Sequence, residues 1–580
     1  MSRRIAVVAL ILVLLAGLSF YSQGLVKRAF DACVNYRSPY LFAMPPGEGT
    51  PGLTAQAVLI VVDGLRADTA LTMRAVQTLR DKGAAATLIT GQPSLSVPGA
   101  ANIESGTLQE IHGVTTNWYK GELKVDTIFA AAQRAGLTWF GADGDSYARF
   151  GQVTASPARG EWRSFTEMSP EAYDRAVFEA GLAAVKAGTN LVFMHFSATD
   201  EMAHAHGANS DQYRQAAATI DGYLGQIVDL TLARGGTVLI TADHGHIASG
   251  GHGGGESAVT HVLLALAGAG VRSAQPGAQE LIASQADLAP TVAALIGAPV
   301  PSSATGQILY QLLQEPAGGW SARAVREAER QTVFTDQYLV ALKAEPLPPE
   351  RRDELKRLKD GLQAGHDVFA AAQEYTAALA ATRAEARAHA MTAGRVGRIP
   401  LTVLLALLPL VLFVPLWRGK LFSRAVLSSL VYFIVYNFLY FVVHGYRWSF
   451  SAFNSEDLMG KFFNGRLFEA AAGALLAALA LGLMARRAQR GGLALTWVDL
   501  AEGAAVTSLS VAYLLGLQAL AFYLIWDVRF PFYLPNFTAG FKFYMDMLQL
   551  VAVGLAALPA LAVAVFAGQI RFNTKPGARA

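Results

Sequence analysis

Aspartate and histidine residues cluster in one part of the sequence, directly after apolar runs. Of the eleven histidines in the chain, seven lie between residues 195 and 261. The apolar run 238–241 leads into Asp243 and His244, and a glycine-rich loop then brings in His252. Carboxylate oxygens and imidazole nitrogens bind divalent cations, and a buried strand holds such ligands in place. The pattern predicts half of a two-metal site, whereas a lone histidine would more simply be a core residue.

Two other segments place acidic and histidine side chains after predicted strands. Asp63 ends the apolar run of VLIVVDG, just before a glycine turn, and Asp200 follows the run LVFMHF. His204 comes four residues after Asp200, so both side chains point the same way on a helical turn. We interpret all three as ligands, and His195 and His206 as neighbours that orient them.

Ser96 is the candidate nucleophile. It precedes a short predicted helix that begins at about Val97 and Pro98. Its hydroxyl would therefore lie at a helix N-terminus, where free amides and the helix dipole favour an alkoxide. Coordination to a cation would lower the pKa of that hydroxyl much further. Ser94 is the alternative nucleophile, and a helix cap is the alternative role for Ser96.

The predicted ligands form two sets, each for one cation. The members are Asp63, Asp243, His244 and the Ser96 oxygen in the first set, and Asp200, His204 and His252, with one position left open, in the second. Two cations about 4 Å apart can hold the attacking and the leaving oxygen of an in-line phosphoryl transfer. Ligation by nitrogen and oxygen with three histidines favours two Zn²⁺ ions, with Mn²⁺ as the alternative.

The composition favours a membrane protein and argues against several other classes. Hydrophobic residues make up 53% of the 580 residues and charged residues only 16%. The net charge of +3 is small, and since no basic stripe is present, nucleic acid is not an expected partner. The single cysteine, Cys33, excludes an internal disulfide framework and a thiolate metal cluster.

The segment from about residue 55 to 310 alternates short apolar runs with helical patterns. Strands are predicted at 57–62, 138–141, 190–195, 237–241 and 262–266, and helices at 173–187 and 212–234. The strands are hydrophobic throughout, which indicates burial on both faces. We therefore predict an α/β fold, a doubly wound and mainly parallel sheet flanked by helices, together with an α-helical transmembrane bundle. In such sheets ligands bind beyond the carboxyl ends of the strands, where Asp63, Asp200 and Asp243 lie.

Six apolar segments are long enough to cross a bilayer as helices. They are 5–21, 399–417, 425–443, 467–485, 504–526 and 547–567. The first follows Arg3 and Arg4 and is interpreted as a signal anchor, with a cleaved signal peptide as the alternative. If those arginines are cytoplasmic, eleven basic residues fall on the cytoplasmic side and five in the two short outer loops. The positive-inside rule then places the α/β domain outside the cytoplasm.

These observations divide the chain into four parts. They are an N-terminal transmembrane anchor (1–24), an extracytoplasmic catalytic domain (25–317), a connector of amphipathic helices (318–398) and a bundle of about five transmembrane helices (399–580). The helices of the connector are expected to end near Gly394 and Gly397, because glycine commonly terminates a helix.

Several short motifs span roughly residues 55–270. They are DG after the first strand, PSxSxP followed by SG and HGxxxN, DxxxHxxG, and ADHG followed by GGHG. Together they resemble the alkaline phosphatase superfamily, in particular its nucleotide pyrophosphatase and phosphodiesterase branch. The resemblance implies an alkaline-phosphatase-like fold and the two metal sets given above. It also implies that Ser96 replaces that branch's threonine nucleophile and that Asn117 helps to bind a phosphoryl oxygen.

A more specific resemblance extends outside this core. A single leading span, the segment FDACVNYRSPYLFAMPP, the strings HFSATDEMAHAHG and GGHGGGES, and the C-terminal spans resemble GPI ethanolamine phosphate transferases of the first-mannose type. That family implies transfer of phosphoethanolamine from phosphatidylethanolamine to a glycolipid sugar through a covalent phosphoenzyme. The chain departs in having fewer C-terminal spans and in carrying Ser96 in place of threonine. Its alanine-rich, arginine-over-lysine composition favours a bacterial relative with another acceptor.

The combined interpretation is a membrane-bound phosphoethanolamine transferase with a phospholipid donor and a glycolipid or sugar acceptor. A phosphodiesterase or phosphatase with the same ligands is the first alternative. A sulfatase fits less well, because Ala100 stands where the formylglycine signature starting at Ser96 needs arginine. A scaffold with a dead catalytic domain is disfavoured, since no ligand is missing. Glu469 and Asp546, near the outer ends of their spans, are predicted to meet the ammonium group of a lipid.

Overall fold

Eight strands form one sheet in the computed structural model, which describes residues 2–144, 146–151, 159–273 and 281–569. In chain order the strands are β1 (Ala57–Val62), β2 (Ala84–Ile89), β3 (Trp139–Asp143), β4 (Gly160–Ser164), β5 (Leu191–Phe196), β6 (Thr237–Thr241), β7 (His261–Gly268) and β8 (Leu281–Ser284). Their order across the sheet is β4-β3-β5-β1-β6-β7-β2-β8. β7 is antiparallel to β6 and β2, and the other neighbouring strands are parallel. The predicted doubly wound, mainly parallel sheet is confirmed.

The three central strands carry the site. Every residue of β1, β5 and β6 is buried, as their mainly apolar sequences predict. β1 lies between the other two, and its last residues pair with theirs, Val62 with Phe196 and Val61 with Thr241. The three strands therefore end at the same level, so the residues that follow them meet at one edge of the sheet.

Three strands are absent from the sequence-based prediction. β2 is rich in alanine and alternates buried with half-buried residues, while β4 (GEWRS) and β8 (LIAS) are short strands at the two edges of the sheet. Short edge strands bury little surface and therefore have a weak hydrophobic pattern. The predicted bounds of β3 and β5 are off by one or two residues, and β7 extends beyond its predicted bounds at both ends.

Most helices before residue 300 pack around this sheet. In chain order they are α1 (Ser2–Val34), α2 (Ala67–Ala70), α3 (Arg74–Lys82), α4 (Ser96–Ser105), α5 (Gln109–His112), α6 (Ile128–Arg134), α7 (Pro170–Ala187), α8 (Ala198–His206), α9 (Asp211–Ala233), α10 (Ser257–Thr260) and α11 (Leu288–Ile296). α1 is the exception and packs against the last helices of the chain. The predicted helices at 173–187 and 212–234 correspond to α7 and α9.

Long helices dominate the rest of the chain. They are α12 (Ser321–Leu342), α13 (Pro349–Gln363), α14 (Phe369–Leu407), α15 (Phe422–Asn437), α16 (Glu456–Arg490), α17 (Trp497–Trp526) and α18 (Phe537–Gln569). Six helical segments are long and apolar enough to cross a membrane, in the number and order predicted. By length and composition the chain is therefore a multi-pass membrane protein.

The helix α14 joins the connector to the first C-terminal span without a break. It passes through Gly394 and Gly397, so the predicted helix ends at these residues are wrong. A glycine costs a helix only about 1 kcal/mol, too little to end one that is held elsewhere. Arg398, one residue beyond Gly397, donates from Nε to the carbonyl oxygen of Leu524 on α17 at 3.1 Å. Packing of this kind keeps the helix continuous across both glycines.

The sheet domain and the membrane helices contact each other directly. Arg387 on α14 donates from Nη2 to Glu110 Oε1 at 2.7 Å, and Asn454, in the loop before α16, donates from Nδ2 to the carbonyl oxygen of Ser249 at 2.7 Å. Three basic residues of the predicted charge asymmetry, Arg571, Lys575 and Arg579, lie outside the described residues. The side of the membrane on which the sheet lies therefore stays a prediction, as do the part boundaries at 24, 317 and 398.

Candidate metal centre and nucleophile

The predicted site residues meet at the carboxyl edge of the sheet. Asp63 and Asp243 lie at the ends of β1 and β6, and Asp200 and His204 lie on α8, which begins two residues after β5. Gly64, with φ of +65°, carries the chain past this edge. A Cβ atom at Gly64 would come within 3.0 Å of Asp200 Oδ1, so glycine is required for this close approach.

The first predicted set converges around one imidazole. Asp63, Asp243 and His244 each offer a ligand atom within 4.8 Å of the others. His244 Nε2 lies 3.3 Å from Asp63 Oδ1 and 3.6 Å from Asp243 Oδ2. Ser96 Oγ lies 3.1 Å from the same nitrogen. The four residues predicted to share one cation are thus neighbours in the fold.

The second predicted set lies beside the first. Asp200, His204 and His252 also offer ligand atoms within 4.8 Å of one another, with His204 Nε2 3.3 Å from Asp200 Oδ2. The rings of His252 and His244 stack with centroids 3.9 Å apart, which places the two sets side by side. His246, to which no role was assigned from the sequence, has its Nε2 atom 2.8 Å from Asp200 Oδ1. It is a further candidate ligand or a residue that orients Asp200.

Backbone carbonyls fix the tautomers of two histidines. The Nδ1 atoms of His244 and His252 lie 3.2 and 3.0 Å from the carbonyl oxygens of Gly245 and Ser94, respectively. Because a carbonyl only accepts, each of these neutral rings carries its proton on Nδ1 and presents the Nε2 lone pair to the cluster. Histidines that bind metals are usually held in this way by a hydrogen bond from the other ring nitrogen. His246 instead meets an acceptor at both nitrogens, the carbonyl oxygen of Gly250 at Nδ1 and Asp200 Oδ1 at Nε2.

The carboxylates of the first set are poorly satisfied by the protein alone. Burial raises the pKa of Asp63 well above its usual range, with the charges of Asp243 and Asp200 acting in the same direction. Burial also raises the pKa of Asp243. Asp63 Oδ1 and Asp243 Oδ2 are buried and have no hydrogen-bond partner among the described residues. A divalent cation would neutralise both groups and occupy both oxygens, so this donor set fits a metal.

The second set also fits a cation. Burial opposes a charge on Asp200, but His204 and His246 outweigh it and hold the pKa of this carboxyl well below its usual range. Burial likewise opposes protonation of His204, yet Asp200 raises the pKa of this imidazole to about 9. His204 Nε2 lies 3.2 Å from His252 Nε2, so the N–H of His204 donates to the lone pair that His252 presents. A divalent cation bound by both nitrogens would replace that proton.

The geometry distinguishes the two candidate nucleophiles. Ser96 is half-buried at the start of α4, and its hydroxyl faces His244. Ser94 is buried, with its Oγ atom 2.7 Å from Thr90 Oγ1. The N-cap position of α4 is Leu95, so the alternative role of Ser96 as a helix cap is wrong. Ser96 is therefore the hydroxyl available to the cluster.

Asn117 lies next to the candidate nucleophile. Its Oδ1 atom accepts a hydrogen bond from the backbone N–H of Val97 at 3.0 Å. Since Oδ1 is used in this way, the Nδ2 amide group remains to donate to an oxygen of a bound group beside Ser96. The role of Asn117 in binding a phosphoryl oxygen stays a prediction.

A chain of buried, hydrogen-bonded polar residues contacts Asp63. His195 Nε2 lies 3.2 Å from Asp63 Oδ2, and its Nδ1 atom lies 2.7 Å from Asp143 Oδ1. Tyr173 donates its hydroxyl to the carbonyl oxygen of His195 at 3.0 Å. The pKa of His195 is raised well above its usual range, because Asp143 and Asp63 outweigh the effect of burial. Asp143 and Tyr173 were missed in the sequence, although Asp143 ends β3 just as other aspartates end β1 and β6.

Three residues do not have the surroundings that the sequence suggested. His206 is exposed at the end of α8, which gives no support to its predicted role in orienting a ligand. Glu469 Oε1 accepts a hydrogen bond from Arg466 at 2.6 Å, and Asp546 is paired with Lys542. Both carboxylates are therefore neutralised within the chain, which argues against their predicted contact with a lipid ammonium group.

Comparison with known families agrees with this site. Residues 57–253 match the family model described as type I phosphodiesterase / nucleotide pyrophosphatase. The matched segment includes all the predicted ligands and Ser96, and it ends one residue after His252.

Individual relatives match parts of the chain. GPI ethanolamine phosphate transferase 1 of Mus musculus is 24% identical over 347 residues, which are 50% of this chain and 37% of that protein. A 2,3-bisphosphoglycerate-independent phosphoglycerate mutase of Desulforudis audaxviator is 32% identical over 149 residues, 25% of this chain and 28% of that protein. The solved murine ectonucleotide pyrophosphatase / phosphodiesterase 5 is 14% identical, with a TM-score of 0.37, over 45% of this chain and 100% of that chain. The chain spans little more than a third of the length of the transferase.

Proposed function

We propose that this chain is a membrane-bound, metal-dependent transferase that moves phosphoethanolamine from phosphatidylethanolamine to a hydroxyl group of a glycolipid or sugar acceptor. The observation that carries the proposal is the position of Ser96 Oγ, 3.1 Å from His244 Nε2 and beside buried carboxylates. The likeness to GPI ethanolamine phosphate transferase 1 supports the head group and the membrane-bound substrates. The family match of residues 57–253 supports chemistry at a phosphodiester.

The reaction has two displacements at one phosphorus atom. In the first, Ser96 Oγ attacks the phosphorus of the donor, a bond from Oγ to phosphorus forms, and the bond from phosphorus to the diacylglycerol oxygen breaks. Ser96 loses one proton in this step, and the oxygen of the departing diacylglycerol gains one to become a hydroxyl group. In the second, the acceptor hydroxyl attacks the same phosphorus, the bond to Ser96 breaks, and a proton returns to Ser96 Oγ.

The residues around Ser96 favour this chemistry. Burial lowers the pKa of His244 to about 3, so its imidazole is neutral at physiological pH and its Nε2 lone pair faces the Ser96 hydroxyl. In the first turn of α4 the N–H of Val97 donates to Asn117 Oδ1 and that of Gly99 donates to the Leu95 carbonyl oxygen, so the helix dipole rather than a set of free amides favours negative charge beside Ser96. The Nδ2 group of Asn117 is available to donate to one of these oxygens.

The proposed cofactors are two Zn²⁺ ions, with Mn²⁺ as the alternative. The residues that would hold them are Asp63, Asp243 and His244 with Ser96, and Asp200, His204 and His252. When bound, the cations would lower the pKa of the Ser96 hydroxyl and neutralise charge on the phosphoryl oxygens. His246 Nε2, 2.8 Å from Asp200 Oδ1, would help to orient that carboxylate.

The membrane helices support a lipid donor. The loop before α16 contacts the glycine-rich loop that carries His252, with Gly254 N donating to Ser451 Oγ at 3.0 Å. A site held this close to the ends of the spans is within reach of lipid head groups. We place the catalytic domain outside the cytoplasm, on the basis of the charge asymmetry of the sequence.

Trapping of the covalent intermediate tests the proposal. Full-length protein in detergent is incubated with Zn²⁺ and phosphatidylethanolamine without an acceptor, quenched in acid and digested for mass spectrometry. We expect a phosphoethanolamine adduct on Ser96 that Ser96→Ala abolishes and the matched control Ser94→Ala retains. Diacylglycerol release with undiminished rate in Ser96→Ala would contradict the proposal.

The acceptor distinguishes transfer from hydrolysis. With head-group-labelled donor, a transferase accumulates the adduct until a sugar or glycolipid acceptor is added, and the label then moves to the acceptor. Rapid release of free phosphoethanolamine, unaffected by any acceptor, would instead indicate the phosphodiesterase alternative.

A further inference from the structure

A cavity of about 710 Å³ lies between the glycine-rich loop and the ends of α15 and α16. Ser249 contributes to its wall on the side of the sheet domain, and Asn454 and Phe462 contribute on the side of the membrane helices. Asn454 and Ser249 are hydrogen bonded to each other, so the two regions close this wall together. The volume is in the range of small-molecule and head-group sites.

Basic side chains outnumber acidic ones along the cavity. Among the described residues that line it, Arg447, Lys461 and Arg466 are basic and Glu256 is the acidic one, while Glu469, outside the lining, pairs with Arg466. Glu256 Oε2 already accepts a hydrogen bond from Ser451 Oγ at 2.9 Å. Lysine and arginine side chains gathered in one concave site attract anions, and a phosphate group matches their donors.

Arg466 is buried and retains free hydrogen-bonding capacity. Its side chain is only 5% exposed, and its Nη2 atom donates to Glu469 Oε1 at 2.6 Å and lies 3.2 Å from His444 Nε2. Its Nε and Nη1 atoms are buried without a hydrogen-bond partner among the described residues. The rings of Tyr446 and Phe462 hold the guanidinium carbon at 4.9 and 5.4 Å from their centroids. Two oxygens of an anion would satisfy these N–H groups, whose unpaired burial is otherwise costly.

The surface beside the cavity suits acyl chains. Val442 and Val443, in the π-helical turn Phe438–Val443 that follows α15, are 65% and 57% exposed, and Phe468 on α16 is 78% exposed. These side chains flank a region rich in aromatic residues, as is typical of the level of the head groups in a bilayer. A ligand that combines a phosphate group with hydrocarbon chains therefore fits both the cavity and its surroundings.

We propose that this cavity binds the phosphate of an anionic lipid head group, at a position separate from the phosphoryl group that Ser96 would take. Arg466 donates from Nε and Nη1 to phosphate oxygens, while Arg447 and Lys461 provide further positive charge at the exposed side of the cavity. The site shares the loop that carries His252, so an occupied cavity holds a second lipid beside the catalytic cluster. The proposal rests on the cavity residues and does not require the transfer reaction.

Calorimetric titration of the full-length Ser96→Ala protein in detergent tests the site. The probes are dihexanoyl phosphatidic acid, dihexanoyl phosphatidylcholine and inorganic phosphate. We expect phosphatidic acid to bind, and the doubly substituted Arg447→Gln/Lys461→Gln protein to bind it about 10-fold more weakly, since two positive charges beside the phosphate are lost. Arg466→Lys keeps the charge but loses the planar donor pair, so it should also weaken binding.

The control is Arg529→Gln, in the loop between α17 and α18. The Arg529 side chain is 80% exposed and does not line the cavity, so binding should be unchanged. Equal affinity for phosphatidylcholine, or unchanged affinity in the double variant, would overturn the site. Equal affinity for inorganic phosphate would overturn the lipid as its ligand. Because the protein carries Ser96→Ala, these results are independent of whether a phosphoserine forms.

Discussion

The sheet edge and the helix bundle both bury carboxylates, but they neutralise them in different ways. In the bundle, Asp499 and Glu502 on α17 are paired with Arg4 on α1, with Arg4 Nη2 2.8 Å from Asp499 Oδ1. At the sheet edge, Asp63 and Asp243 are buried beside each other with oxygens that lack a hydrogen-bond donor among the described residues. Asp499 and Glu502 are therefore neutralised within the polypeptide, whereas the carboxylates at the sheet edge are neutralised when a cation binds.

The largest effect is expected from Asp243→Asn. Loss of this carboxylate removes a ligand of the first set, so we expect transfer activity to fall at least about 10³-fold and bound metal to fall from two ions per chain to one. The measurements are transfer activity and metal content, the latter by inductively coupled plasma mass spectrometry. The matched control Asp499→Asn, in the bundle, should keep both ions. Equal metal loss in the two variants would remove the distinction between the regions.

Removal of metal is expected to have the next largest effect, and only on the sheet domain. A cation present at about 1,000 times its dissociation constant stabilises the folded state by roughly 4 kcal/mol. Chelation should therefore lower the unfolding temperature of the sheet domain, measured by the hydrogen-exchange protection of β1 and β6. The protection of α17 and α18 should stay unchanged. Readdition of Zn²⁺ should restore the protection. A uniform loss of protection in both regions would contradict the prediction.

Asp143→Asn tests the support behind the metal site. This change weakens the hydrogen bond to His195 Nδ1 and so loosens the contact of His195 with Asp63. We expect a 10–100-fold loss of metal affinity or activity, the range usual for residues that orient metal ligands. The measurements are the Zn²⁺ dissociation constant and kcat. Asp126→Asn, at a salt bridge with Arg134 away from the cluster, is the control and should retain both values.

Asp174 shows how a buried carboxyl behaves with neither a cation nor a basic partner at bonding distance. Burial raises its pKa from 3.8 to about 7, although the backbone N–H groups of Ser197 and Ala198 donate to it. Between pH 4 and 7 the folded protein binds a proton that the unfolded chain releases, so stability falls as pH rises, by about 1 kcal/mol per pH unit. Asp174→Asn should flatten this slope in urea unfolding at constant free Zn²⁺. A slope identical to that of the unmodified protein would refute the assignment.

The central sheet was predictable because its sequence has a single physical interpretation. β1 is apolar at every position, and β5 and β6 depart from this only at His195 and at Thr237 and Thr241; apolar, β-branched runs of this length favour strands buried on both faces. The edge strands β4 and β8 were not predictable, since a polar or four-residue edge strand is defined by its neighbour rather than by its own pattern. The helices of the connector were wrongly predicted to end near Gly394 and Gly397, because packing outweighs the small free-energy cost of these two glycines within α14.

Asp63, Asp243 and His244 meet in the fold because they lie just beyond the ends of β1 and β6, and Asp200 and His204 join them on α8, which begins two residues after β5. His252 is added by the glycine-rich loop that follows β6. The same rule would have found Asp143, which ends β3. The strand predicted at 138–141 stopped two residues earlier, so Asp143 was not recognised as lying at a strand end. His246 escaped for a different reason: its proximity to Asp200 depends on the path of the loop and on the space left by Gly64, which no local pattern encodes. His195 was recognisable as a neighbour of the ligands because it lies within β5, facing the site.

The continuity of α14 has a mechanical consequence. Its 39 residues, with Pro400 inside the helix, extend over about 58 Å at 1.5 Å per residue, with one end in the apolar span and the other packed against α12. A bilayer that thickens or thins tilts the apolar end of this helix, and the tilt shifts the height of the catalytic domain above the lipid. Activity should therefore depend on acyl-chain length even when the head groups of the surrounding lipids stay the same.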